Sequence, residues 1–126
     1  MLVSVFMVLV YLFAINERVK SGKPISPHVV TRMINTDDAV LVDIREAKEF
    51  KAGHIAGAIN IPVAKIMDRI AELEPHREKA IIVADKVGQQ SGAIGRKLQQ
   101  KDFSVMRLTG GMMEWKNQNL PMVKGS

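Results

Sequence analysis

The amino end of the chain is a single apolar block. Residues 2–15 (LVSVFMVLVYLFAI) carry no charge and are broken only by Ser4 and Tyr11. Beyond them, short apolar runs alternate with amphipathic stretches. Ser26-Pro27 predicts a helix start, with Ser as N-cap and Pro at the first helical position. Val29, Val30, Met33 and Ile34 then recur at helical spacing, and Asn35–Asp38 predicts a turn. Ala39–Ile44 is a continuous apolar run of strand length, as suits a parallel strand covered on both faces. Glu46–Ala52 predicts a short helix stopped by Gly53. A turn over His54–Gly57 and a short strand over Ala58–Ile61, closed by Pro62, come next. From Val63 to Leu73, the positions Val63, Ile66, Met67, Ile70 and Leu73 trace one helical face. Ala80–Ala84 predicts a second buried strand, Asp85–Gln89 a loop, Gln90–Gln100 a helix and Ser104–Leu108 a further strand. Thr109-Gly110-Gly111 is a turn before a helix over Met112–Asn119 that carries Trp115, and Pro121 ends it.

Strands alternating with helices predict an α/β domain with a parallel sheet and helices on both faces. Ligands of such sheets bind beyond the carboxyl ends of the strands. The loops Asp43–Glu46 and Asp85–Ser91 are therefore the candidate functional loops. The expected organisation is a hydrophobic anchor helix over 1–20, a linker over 21–25 and one domain over 26–123.

The apolar leader has three readings. Fourteen helical residues reach about 21 Å, short of a hydrocarbon core about 30 Å thick. A transmembrane helix whose beginning precedes this chain is the first reading. A signal peptide is the second, but no Lys or Arg follows Met1 and no A-x-A cleavage site appears. A core helix is the third, but its apolar residues run all round. The membrane anchor over residues 2–15 is favoured, because apolar surface on this scale avoids water. Arg18, Lys20 and Lys23 follow the run, so the positive-inside rule puts the domain in the cytoplasm.

Composition narrows the chemistry. Of 126 residues, a quarter are charged, and 18 Lys and Arg against 13 Asp and Glu give a net charge of +5. The basic residues are scattered among acids and only 4 Phe, 1 Tyr and 1 Trp are present, which argues against nucleic acid as a partner. The chain contains no cysteine, which excludes disulfides, thiolate metal sites and thiol catalysis. His28 and His76 lie far apart without ligand spacing, so no metal site is expected, and no cofactor is implied.

Three segments together resemble the rhodanese family. LVDIREAKEFKAGHIAGAINIP (41–62) is similar to its first signature, where Asp-x-Arg ends a strand and Gly-His-Ile-x-Gly-Ala leads to Asn-Ile-Pro. IIVADKVGQQSGAIGRKL (81–98) resembles its active-site strand, loop and helix. LTGGMMEWKNQNLPMV (108–123) looks like its C-terminal signature. The resemblance implies a small, mainly parallel five-stranded sheet. Behind a hydrophobic leader, the arrangement is similar to single-domain bacterial rhodanese-like proteins held as single-pass proteins in the inner membrane.

In that family a nucleophilic cysteine opens the loop after the active-site strand and carries sulfur as a persulfide. The matching position here is Asp85. Lys86, Val87, Gly88, Gln89, Gln90 and Ser91 continue the loop, with Gly88 and Ser91 in the family's places and Gln90 where a basic residue often stands. The family's loop aims backbone N–H groups at the cysteine near a helix start, an arrangement that binds anions. With Asp85 there, the loop surrounds a carboxylate that can accept those N–H bonds itself and repel thiosulfate or phosphate. An acid at a helix start is favourable by roughly 0.3–1 kcal/mol. A nucleophilic aspartate is the alternative, but such sites need a metal or cationic support, and only Lys86 is at hand.

Asp43 and Arg45 read as an ion pair tying a strand end to a neighbouring loop in preference to a catalytic pair. His54 reads as a turn residue bonded to nearby backbone or a carboxylate in preference to a proton shuttle. Met112 and Met113 read as helix packing, with a soft binding patch as the alternative, and Trp115 reads as core. The functional expectation is a non-catalytic binding module at the membrane that recruits a protein or an anion. Thiosulfate sulfurtransfer, the family's reaction, and a plain structural tether are the competing readings.

Overall fold

The computed structural model describes residues 4–11 and 22–125. Residues 4–11 are helical, and the side chains of Val5 to Tyr11 are 48–66% exposed. The rest of the predicted anchor lies outside the described residues. Among the described residues no helix is long and apolar enough to cross a membrane.

Five strands form one sheet: β1 (Lys23–Ile25), β2 (Ala39–Asp43), β3 (Ile59–Asn60), β4 (Ala80–Ala84) and β5 (Val105–Leu108). The order across the sheet is β1-β5-β4-β2-β3, and every pairing is parallel. The helices are α1 (Pro27–Asn35), α2 (Ala47–Ala52), α3 (Ser91–Gln99) and α4 (Gly111–Asn117). Ser26 caps α1 through its side chain, which accepts the Val29 N–H at 3.3 Å, and Pro27 occupies the first turn.

The central strands are apolar throughout because both faces are covered. Alternate residues of β4 go to opposite sides. Ile81 and Val83 join Val42, Ile94, Leu98 and Phe103 in one core, whereas Ile82 and Ala84 join Leu41, Val30, Met112 and Trp115 in the other. Burying one such Ile or Leu stabilises the fold by roughly 1.5–3 kcal/mol.

Two expectations need correction. Residues 23–25, expected to be linker, form the edge strand β1 in register with Met106, Arg107 and Leu108. Three residues are too few to show a period of two. Pro24 is tolerated because β1 has a neighbour on one side only. The helix expected over 63–73 is instead two 3-10 segments, Val63–Lys65 and Ile70–His76, joined by turns. Each segment's own apolar pair, Val63 with Ile66 and Ile70 with Leu73, is three residues apart, a spacing that a 3-10 turn places on one face as an α-helix does. Pro75 also removes a backbone donor. Ile66 and Leu73 are buried as expected, but Met67 is 40% exposed. Arg69 binds Glu72 and Arg77 binds Glu74 across this segment, and these hydrogen bonds hold both carboxyls below their usual range.

Candidate functional site

Because all strands are parallel, the loops after β2 and β4 lie beyond the same edge of the sheet. The β4 strand delivers Asp85 there, 1% exposed. The loop then folds back so that its N–H groups converge on this side chain. Oδ1 accepts the Gly88 N–H at 2.6 Å, and Oδ2 accepts those of Gln90 at 2.6 Å and Ser91 at 3.0 Å. Gly88 permits the return with φ +94°. Gln90 and Ser91 begin α3, so the carboxylate also sits at the positive end of that helix.

The remaining loop residues divide by exposure. Ser91 is buried, Gly88 is half-buried, and Lys86, Val87, Gln89 and Gln90 face solvent. The Met112 N–H donates to the Asp85 carbonyl at 2.8 Å and the Met113 N–H donates to the Lys86 carbonyl at 3.0 Å. These bonds dock the start of α4 under the loop. They also explain the glycine pair before α4. A Cβ on Gly111 would lie 2.6 Å from the Asp85 carbonyl oxygen and 2.8 Å from Oδ1. The sequence marks this pair only as a turn. A glycine pair one residue after a strand was the available signal for close backbone approach.

Asp43 ends β2 fully buried. Arg45 grips it by a fork, Nε at 3.0 Å from Oδ1 and Nη2 at 2.7 Å from Oδ2, and the same Nη2 donates to the Gly53 carbonyl at 2.7 Å. The structure thus joins Asp43 and Arg45 in one ion pair that ties the end of β2 to the end of α2. Asn60, which sequence reasoning missed, completes the knot by donating to the carbonyls of Asp43 at 3.0 Å and Arg45 at 2.9 Å.

His54 is buried. Its Nδ1 lies 2.7 Å from the Phe50 carbonyl, and its ring stacks on Phe50 at 3.7 Å between centroids. Its backbone bonds Val123 in both directions, pinning the carboxyl-terminal segment. No hydrogen bond joins His54 to Asp85, Asp43 or Arg45. Met112 and Trp115 are core, whereas Met113 is 51% exposed. Among the described residues, no three His, Asp or Glu side chains cluster to hold a metal ion.

A parallel sheet in the order β1-β5-β4-β2-β3, with a strand-to-helix loop of converging N–H groups at its carboxyl edge, defines a rhodanese-like domain. The model of that domain family matches residues 26–118, and the chain belongs to it. Among its relatives, the uncharacterized protein YibN of Escherichia coli strain K12 is 40% identical over 105 residues, covering 82% of this chain and 73% of YibN. Thiosulfate sulfurtransferase PspE of the same strain is 31% identical over 84 residues, covering 67% of this chain and 78% of PspE. The crystal structure of a rhodanese-related protein from Thermoplasma volcanium superposes with a TM-score of 0.74 at 28% identity, covering 80% of this chain and 97% of that one.

Proposed function

We propose that this rhodanese-like protein works by binding, without transferring sulfur, and that its apolar leader holds it at a bacterial inner membrane. One observation carries the first part. The loop's three converging N–H donors are already filled by the buried carboxylate of Asp85, in a chain without a single cysteine. In this reading Asp85 stands where the family's nucleophile opens the loop. An oxygen acid cannot store sulfur as a persulfide, and it repels the anionic donor that would have to enter.

Sulfur transfer is the second reading, supported by the name of the relative PspE. A thiosulfate:cyanide assay separates the two. Thiocyanate release by the full chain is expected to match a protein-free control, and turnover clearly above it would overturn the binding reading.

The tether rests on the uncharged stretch 2–15 and on the exposed side chains of Val5 to Tyr11. Arg18, Lys20 and Lys23 after the leader favour a cytoplasmic domain. In membranes from expressing cells, the full chain is expected to stay in the pellet through a carbonate wash. Quantitative release into the wash would remove the tether from the proposal.

A further inference from the structure

Beside the Asp85 loop lies an open groove of about 400 Å³, running between α2 and α4. Its apolar lining is Met112, Met113 and Met122, with the ends of α2 at Ala52 and Gly53. Three lysines stand around it, Lys86 from the β4 loop, Lys116 from α4 and Lys124 near the carboxyl end, all exposed. Among the described residues, no hydrogen bond or ion pair engages the ammonium group of any of the three. Arg45 also lines the groove, but Asp43 already neutralises it. Glu49 is the one acid on the wall. The uncommitted balance is three cations against one anion around a methionine floor.

Such a site suits a ligand that is both negative and apolar. Methionine side chains re-pack around varied shapes at low cost, and lysines on a rim steer an acidic partner and fix its orientation. We propose that the groove docks an acidic peptide segment carrying apolar side chains, presented by a protein partner. This rests on the reading that the domain works by binding, and it names the chemistry of what is bound.

Topology favours a peptide over an anionic membrane surface. All strands run in parallel, so the chain enters at Gly22 on the amino edge of the sheet. Arg45 and Lys86 follow the carboxyl ends of β2 and β4, at the opposite edge. The mouth of the groove at Arg45 and Lys86 therefore lies at the edge opposite the one where the chain enters the domain.

The test is a fluorescence-polarisation titration of the full chain in detergent. The probe is a short labelled peptide in which glutamates flank a Leu-Met pair. Saturable binding is expected. It should weaken by roughly tenfold or more in Lys116→Glu/Lys124→Glu, since like charges across an interface are strongly unfavourable. It should also weaken when the Leu-Met pair of the probe becomes Ser-Ser. Both lysines are exposed, and unchanged circular dichroism of the variant confirms that its fold is intact. Absence of binding, or binding indifferent to the lysine reversals, overturns the assignment. So does a result in which phosphatidylglycerol vesicles but not the peptide compete for the same lysines, because the groove then serves a lipid surface. The sulfurtransferase assay on the same preparation keeps the two failures apart. Thiocyanate release would sink the binding-module reading whatever the peptide does. Silence in both assays would sink the groove assignment alone.

Discussion

Asp85→Ala is expected to cost the domain roughly 2–4 kcal/mol, because each buried N–H left without an acceptor costs on the order of 1–3 kcal/mol and water can satisfy some of them. Three donors, from Gly88, Gln90 and Ser91, lose their partner together. The variant should then behave as its parent does not. Its emptied cradle at the start of α3 is a site for sulfate or phosphate. Sulfate at a hundred times its dissociation constant should restore about 2.7 kcal/mol in urea unfolding, while the parent gains nothing beyond the general salt effect. Asp85→Asn should fall between the two. One amide oxygen can still serve Gln90 and Ser91, but its NH2 group then confronts the Gly88 N–H. Full stability of the alanine variant without added anion would show that the loop does not depend on this side chain.

Arg45→Met is expected to be the most damaging single change outside the apolar cores, at about 3–5 kcal/mol, because it strands a buried carboxylate. Asp43 is fully buried and keeps only the Arg45 backbone N–H, at 3.0 Å, once the fork is gone. The Gly53 carbonyl loses its guanidinium partner as well. Small domains are stable by roughly 5–15 kcal/mol in total, so the variant should sit near the edge of folding. Adding Asp43→Asn should recover much of the loss, since removing both members of a buried pair costs far less than removing one. Urea midpoints at constant slope give the comparison. A loss below about 1 kcal/mol for Arg45→Met would mean that the pair is not what ties β2 to α2.

The parts of this fold that read clearly from the sequence are those with a local cause. Ser26-Pro27 announces α1 because capping and a fixed φ are properties of adjacent residues. The run Ala80–Ala84 announces a central strand because burial on both faces leaves no polar position. The edge strand Lys23–Ile25 is silent because only its partner β5, more than 80 residues later, makes it a strand. The 63–76 segment misleads because its apolar pairs at a spacing of three sit on one face of a 3-10 turn as they do of an α-helix. The site divides in the same way. Asp85 stands out as an acid between a buried strand and a helix start, within one continuous segment. The groove does not, because residues 45–53, Lys86 and residues 112–124 are three separate parts of the chain that only the tertiary fold assembles.

The sheet ends on two very short strands, three residues with a central proline at one side and two residues at the other. Each offers too few free backbone groups to template another chain, and the proline withholds a donor where one would be needed. Domains crowded side by side would therefore lack the edge seams along which sheets fuse.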